Sequence, residues 1–175
     1  RRSSDLLGDL ADPSAIAQLP YLSAVCQETL RIYPIAPSAF IRVLKTPMEV
    51  FDYQFEAGTA LISSIYLVHQ REDLYPDPKR FEPERFLDRQ YTPYEYLPFG
   101  GGNRRCIGAA LAQLEMKLVL ATILNRFQLA LTQNHRLKPV RRGLTFAPPG
   151  NIRMVVAQHR ASTTRSGKSL QKISS

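Results

Sequence analysis

Cysteine and tryptophan are scarce in this sequence: it contains two cysteines, Cys26 and Cys106, and no tryptophan. Two cysteines cannot build the disulfide framework of a small secreted domain, so a reducing, cytoplasmic setting is the simpler expectation. The histidines lie far apart and no C-x-x-C is present, which argues against a structural zinc site. No apolar run approaches the roughly 20 residues of a transmembrane helix, and we expect no membrane segment in this chain.

Acidic residues are absent from the last third of the chain. Residues 116–175 hold 11 Lys and Arg and no acid, a balance of +11, whereas residues 1–115 hold 12 basic and 15 acidic residues, a balance of −3; together they give the net charge of +8. Such asymmetry is typical of proteins with an acidic partner or nucleic acid, but a solvated basic surface with a basic tail explains it as well. Basic and aromatic residues are not interleaved there as in single-strand binders, so we expect no nucleic-acid partner.

The 175 residues, 44% of them hydrophobic, are enough for one ordinary domain. The chain does not begin with Met, which we interpret as processing or as a fragment whose beginning is missing. Periodicity and turn residues predict helices, short strands and an irregular loop. In chain order, the predicted elements are a helix over 21–32 after a break at Pro20, β-prone runs at 39–45, 48–55 and 59–64, an ordered meander over 71–98, a helix over 107–127, strands within 139–158 joined by a Pro-Pro-Gly turn, and a disordered basic tail over 161–175. The apolar stripe of the long helix consists of Ile107, Ala110, Leu111, Leu114, Leu118, Ala121 and Leu124.

The stretch PFGGGNRRCIG places Cys106 immediately before the long helix. A helix N-terminus carries partial positive charge, and Arg104 and Arg105 add full charges, so we expect this loop to favour a thiolate. Its glycines allow tight turns and close approach of a large planar anion. Three other interpretations apply to a cysteine in such a loop. A lone cysteine is usually a small buried hydrophobe, as we expect for Cys26; a phosphate-binding loop needs glycine spacings that are absent; and a nucleophilic cysteine needs a nearby histidine.

The pattern Phe99-x-x-Gly102-x-Arg104-x-Cys106-x-Gly108 resembles the haem-binding signature of cytochrome P450. The resemblance implies that Cys106 is the axial ligand of the haem iron and that Arg104 binds a haem propionate. It also implies that Phe99 shields the sulfur, that Gly102 and Gly108 permit the loop geometry, and that backbone N–H groups after the cysteine tune the sulfur.

Two further motifs occur in the order found in that family. ETLR supplies Glu28 and Arg31, which share a helix face at i, i+3, and FEPERF supplies Arg85. The resemblance implies that these three residues form a buried charge cluster that locks the meander against the core. Because buried charges are costly unless they satisfy one another, loss of one member should prevent haem incorporation more than it alters the chemistry.

Other sites follow from the resemblance by position. Arg42 matches a second propionate-binding arginine, and the turn near 146–150 matches a late substrate-contacting segment. We expect His69 to be structural and not an iron ligand. The alternative for the apolar members is ordinary core packing. The segment implied to contact substrate beside the haem consists of Ile35, Ala36, Pro37, Ser38, Ala39 and Phe40.

The resemblance implies a mainly α fold with small β-sheets. It also implies a haem-thiolate monooxygenase that uses haem b to insert one oxygen atom of O2 into a small apolar substrate. Electrons would come from a donor protein, a ferredoxin or a flavoprotein reductase, with Arg105 and Lys117 as candidate docking charges. Full-length members are more than twice as long, and the helix that carries their oxygen-activating acid–alcohol pair is missing from this sequence. We therefore interpret residues 1–160 as the C-terminal part of a cytochrome P450 domain resembling bacterial members, and expect the chain alone to bind haem weakly or not at all. The alternative is a truncated, catalytically inactive fragment.

Overall fold

The computed structural model describes residues 13–132, 138–150 and 152–159. The predicted tail over 161–175 lies outside them. Within this part of the chain, each strand pairs antiparallel with one partner: β1 with β4, β2 with β3, β5 with β8, and β6 with β7. The helices are α1 (Pro13–Ala17), α2 (Pro20–Ile32), α3 (Ile65–His69), α4 (Arg85–Asp88) and α5 (Ala109–Arg126). The strands are β1 (Arg42–Val43), β2 (Met48–Val50), β3 (Tyr53–Phe55), β4 (Ala60–Leu61), β5 (Phe127–Leu131), β6 (Val140–Arg142), β7 (Thr145–Ala147) and β8 (Met154–His159).

Helix α2 carries the first predicted motif and agrees closely with the sequence pattern. Pro20 was predicted to be a break but is the first helical residue, because its fixed φ and missing N–H suit the start of a helix. The helix ends before Pro34, as expected from the steric restriction on the residue that precedes a proline. Leu22, Cys26 and Leu30 are buried on it, so the buried, small-hydrophobe role expected for Cys26 agrees with its position.

Helix α5 begins at Ala109, two residues later than predicted, and its apolar stripe is divided. Ala121 packs in a buried cluster with Ile16 of α1 and Leu22 of α2. The other end of the stripe is exposed: Ile107, just before the helix, is fully exposed, and Leu111 is 60% exposed. Only part of the predicted apolar stripe therefore contributes to the buried cluster.

The last part of the chain differs most from prediction. Strand β5 follows α5 directly and pairs with β8, although no strand was predicted there. The Pro-Pro-Gly segment was predicted to join paired strands, but β7 pairs with β6 instead. That hairpin turns at Gly143, whose φ of 63° is in the left-handed region that glycine adopts without strain.

The predicted meander contains only one short helix, α4. Its shape is maintained by turns and by side-chain hydrogen bonds to α2, which are described below. Within the described residues, no helix has the combined length and apolarity required to traverse a bilayer.

Candidate functional site around the cysteine loop

The cysteine loop is closed by its own backbone hydrogen bonds. The Cys106 N–H donates to the Phe99 carbonyl at 2.9 Å, and the Gly100 N–H donates to the Leu97 carbonyl at 2.9 Å. Between them, Gly102 has a φ of 62° and opens a short 3-10 turn. A side chain at this φ would be strained, which explains the glycine. The result is a loop that ends with Cys106 exposed to solvent.

Gly108 lies between the cysteine and the first residue of α5. Any residue can adopt its φ of −82°, so backbone conformation does not explain the glycine. The space beside the cysteine sulfur does. A Cβ atom built there lies 3.8 Å from the Cys106 sulfur and meets no other atom within 4 Å. Glycine at this position therefore leaves one side of the sulfur uncovered.

An open cleft of about 680 Å³ adjoins the loop. Arg42 from β1 and Arg104 from the loop both line it, so the structure brings together the two arginines expected to bind propionates. Phe40 and Ile107 add apolar walls, and Arg105 lies at the same cleft. Among the described residues, the Arg42 guanidinium makes one hydrogen bond, donated to the neighbouring Ile41 carbonyl at 3.1 Å in an exposed position. Three guanidinium groups and two apolar side chains line this cleft, and the exposed Cys106 is the sequence neighbour of two lining residues, Arg105 and Ile107. Such a set of groups fits a flat iron-holding anion.

The predicted substrate segment runs between α2 and β1. Its backbone is fixed at three points: the Ile35 carbonyl accepts from the Phe146 N–H at 2.7 Å, the Pro37 carbonyl accepts from the Tyr66 N–H at 2.9 Å, and the Ala39 N–H donates to the Ser63 carbonyl at 2.8 Å. Side chains of this segment are exposed or half-buried, unlike those of an ordinary core segment.

The bond to Phe146 brings the second predicted substrate segment next to the first. Phe146 was expected in a turn, but it lies in strand β7, because residues 140–147 form a hairpin. Only residues 148–150 follow this strand before the next gap in the described chain.

Glu28 is the centre of a buried charge network. Its carboxylate accepts from Arg31 Nε at 2.7 Å and Nη2 at 2.9 Å, and from Arg85 Nε at 3.2 Å. A fourth donor is the Glu82 backbone N–H, at 2.9 Å. The structure thus brings together the three residues of the E-x-x-R and PERF motifs, with Glu28 and Arg31 fully buried and Arg85 only 8% exposed.

The two arginines extend this network across the meander. Arg31 Nη1 donates to the His69 carbonyl and Nη2 to the Pro78 carbonyl, both at 2.7 Å. Arg85 Nη2 donates to the Pro76 carbonyl at 3.2 Å and to the Glu82 carboxylate at 3.1 Å. Two carboxylates therefore balance two guanidinium groups, and backbone carbonyls take the remaining donors. Sequence spacing gave no signal for these carbonyls, because their contacts depend on the path of the meander.

Lys117 and Arg105, the candidate docking charges, have different surroundings. Lys117 is half-buried, and its Nζ donates to the Ala17 carbonyl at 2.9 Å, at the C-terminal end of α1. A lysine at a helix C-terminus is favourable because the last carbonyls carry partial negative charge. Arg105 is exposed. Of the two, Arg105 has the accessibility that a docking charge needs.

His69 lies in the same region and is fully buried. The pKa of His69 is lowered from 6.5 to about 4, mainly by burial and to a smaller extent by the positive charge of Arg31, against a contribution from the Arg31 backbone that raises it. The imidazole is therefore neutral at neutral pH. No sequence pattern marked this residue beyond its being one of few histidines; the expectation that it is structural agrees with its burial.

The lowered pKa of His69 predicts a loss of stability in mild acid. Between about pH 6.5 and pH 4 the unfolded chain binds a proton at His69 and the folded chain does not. The free energy of unfolding should therefore fall as pH drops, by up to about 1.4 kcal/mol per pH unit and about 3 kcal/mol in all. Urea unfolding followed by circular dichroism at intervals across this window measures the slope. A His69→Asn variant should show a flatter dependence, and equal slopes for the two proteins would contradict the assignment.

Comparisons with known proteins give consistent matches. A family model for cytochrome P450 matches residues 7–155. Cytochrome P450 135B1 of Mycobacterium tuberculosis is 43% identical over 136 residues, which are 78% of this chain and 29% of that protein. Cytochrome P450 3A29 of Sus scrofa is 41% identical over 116 residues, 65% of this chain and 23% of that protein. Among solved structures, retinoic-acid-bound cyanobacterial CYP120A1 is similar with a TM-score of 0.74 and 33% identity, covering 81% of this chain and 33% of that one.

These matches confirm the predicted fold class, mainly α with small β-sheets, and the resemblance to a family with bacterial members. The chain spans less than a third of the length of these two curated relatives.

Proposed function

Because this chain belongs to the cytochrome P450 family, we propose that its cysteine loop supplies the thiolate-donating side of a haem-dependent monooxygenase site. The observation that carries this proposal is the cleft lined by Arg42 and by the loop residues Arg104 and Arg105, which also contains Ile107, so that both sequence neighbours of the exposed Cys106 line it. The donor set matches what a flat, dianionic, iron-holding cofactor requires.

Each residue of the loop has a distinct role in this proposal. Cys106 donates the sulfur ligand, and Gly108 leaves that sulfur uncovered on one side. Arg42 and Arg104 bind the propionates of haem b. Phe99 holds the cysteine in register through its carbonyl and shields the sulfur, while Gly102 supplies the turn. Haem b, when bound, supplies the chemistry that activates O2 with two electrons and inserts one oxygen atom into a substrate.

The remaining assignments concern substrate and partner. Residues 35–40 line the substrate side, since their side chains are exposed or half-buried and their backbone is fixed at both ends. A small apolar substrate suits Ile35 and Phe40, which are 55% and 77% exposed. Electrons come from a ferredoxin or flavoprotein reductase, for which Arg105 is the accessible docking charge. A cytoplasmic location, expected from the two unpaired cysteines, is part of the same proposal.

The openness of the cleft affects how tightly this chain alone binds haem. Arg42, Arg104 and Cys106 are all exposed, so a haem bound to them alone would keep one face in water. We expect weak haem binding by the isolated chain, and the interpretation as a catalytically inactive fragment predicts no turnover even when haem is bound.

The test is a carbon monoxide spectrum of the reduced, haem-reconstituted protein. The proposal predicts a red-shifted, thiolate-type Soret band, together with O2-dependent oxidation of an apolar probe when a reductase and NADPH are supplied. A thiolate-type band without oxidation would favour the inactive fragment. Haem uptake with only an imidazole-type or unligated spectrum would contradict the proposed ligand.

A further inference from the structure

His69 is the one fully buried histidine among the described residues, and the proposed reaction does not use it. It stands at the end of α3 and makes two hydrogen bonds to different parts of the fold. Its backbone carbonyl accepts from Arg31 Nη1 at 2.7 Å. Its imidazole Nε2 accepts from the Leu97 N–H at 3.1 Å. One residue thus touches both the charge network and the segment that enters the cysteine loop.

Leu97 is the first fixed point of that loop. Its carbonyl accepts from the Gly100 N–H at 2.9 Å, and the next closing bond runs from the Cys106 N–H to Phe99. Leu97 itself is buried, at 7% exposure. A shift of Leu97 would therefore carry both closing bonds, and the cysteine, with it.

The imidazole can accept from Leu97 in only one protonation state. A neutral ring has one N–H and one acceptor nitrogen. If Nε2 accepts, the proton must lie on Nδ1. In the described part of the chain, Nδ1 is buried and has no hydrogen-bond partner. The bond from Leu97 is therefore the one hydrogen bond that the ring makes among the described residues, and it requires the proton to lie on Nδ1.

Aromatic neighbours hold the ring in that orientation. Tyr96 stacks on it, with ring centroids 5.6 Å apart and an interplanar angle of 21°. Tyr75 meets it edge-on at 6.2 Å and 79°. Both tyrosines are fixed by their hydroxyls, Tyr96 to the Gln27 carbonyl at 3.2 Å and Tyr75 to the Glu95 carbonyl at 2.9 Å. The acceptor nitrogen has little freedom to turn away from Leu97.

We propose that His69 is a positioning residue that sets the cysteine loop relative to the Glu28–Arg31 pair, through a neutral imidazole protonated at Nδ1. It transmits the position of α2 to Leu97 by two hydrogen bonds, one from its backbone and one from its ring. Its importance for haem ligation rests on the proposed function; the placement of the loop does not.

The first test determines the tautomer of His69 in the 175-residue chain without haem. Long-range 15N–1H spectra at pH 7 should show His69 with Nδ1 protonated and Nε2 bare. A scalar coupling across the hydrogen bond between the Leu97 amide nitrogen and Nε2 should also be detectable. Protonation of Nε2 at this pH would overturn the proposal, because such a ring cannot accept from Leu97.

The second test uses variants and hydrogen exchange. His69→Leu fills the space but cannot accept, and we expect about tenfold faster exchange at the Gly100 and Cys106 amides. The amide of Tyr33, which donates to the Thr29 carbonyl at the C-terminal end of α2, should be unchanged. His69→Gln retains an acceptor and should recover most of the protection. Equal acceleration at all three amides, or no recovery by glutamine, would indicate a general structural role and contradict positioning. If the leucine variant fails to fold, the tautomer measurement still decides.

Neither measurement needs haem. Failure of the proposed function would appear as a missing thiolate-type spectrum in the unaltered protein, while failure of the positioning role would appear in the tautomer or in the exchange pattern.

Discussion

Replacing Cys106 with alanine is expected to abolish the red-shifted, thiolate-type Soret band of the reduced, carbon-monoxide-treated protein. The sulfur is the ligand assigned to the iron, and no other cysteine can substitute for it, because Cys26 is buried in α2. Thiolate donation to the iron is what distinguishes this haem class from those with histidine ligands. The loss should be complete rather than graded, since the methyl group of alanine cannot donate to a metal.

The matched control is Cys26→Ala. This variant removes the other thiol, which is buried and whose pKa is raised by that burial. It should lower stability modestly while leaving the thiolate-type band in place. Absorption spectra of both variants, normalised to total haem, make the comparison. Retention of the band in Cys106→Ala, or its loss in Cys26→Ala with the fold intact, would show that the ligand has been assigned to the wrong residue.

Replacing Glu28 with alanine is expected to be the most destabilising single substitution in the described chain. It leaves Arg31 fully buried and Arg85 nearly so, without the carboxylate that accepts from both. Removing one partner of a buried ion pair costs about 3–5 kcal/mol, because the remaining charge stays desolvated. This is a large share of the roughly 5–15 kcal/mol that stabilises ordinary domains. Urea unfolding followed by circular dichroism measures the change, and haem uptake should fail along with the fold.

The control for charge loss alone is Asp73→Asn. Asp73 pairs with Arg71 at the surface, where both side chains are more than half exposed, and solvent screening leaves such exposed pairs with little effect on stability. Each of the two substitutions removes one carboxylate. A large difference between their effects on the free energy of unfolding therefore reflects the burial of the Glu28 network. Similar unfolding midpoints for Glu28→Ala and Asp73→Asn would contradict the central role given to the buried network.

Local chemistry in the sequence predicted much of the site. Gly102 and Cys106 belong to one continuous motif, so their proximity needs no knowledge of the fold. Glu28 and Arg31 are three residues apart on a helix, and the helical period alone places them on one face. The partnership with Arg85 came from the family resemblance, and the structure places its Nε 3.2 Å from the same carboxylate.

Contacts that depend on the path of irregular backbone were not predictable in the same way. The carbonyls of Pro76 and Pro78 accept from arginines because the meander turns them inward, and no residue type encodes that direction. His69 was recognised as structural, but its bond to Leu97 joins residues 28 positions apart. Strand β5 was missed because FQLAL follows a strong helical pattern without a glycine or proline between them, although its alternation of apolar and small or polar side chains was a usable signal.

Glu28 pairs with a residue far along the chain, and this separation affects folding during synthesis. Its local partner, Arg31, leaves the ribosome almost with it, but Arg85 is 57 residues further along the chain. At ordinary elongation rates of about 5–20 residues per second, that partner arrives roughly 3 to 11 seconds later. During this interval the polar face of α2 has only its internal pair and water. The nascent helix therefore cannot dock stably by this face until the meander has been made, and tertiary structure around the cysteine loop forms only after most of that segment has been translated.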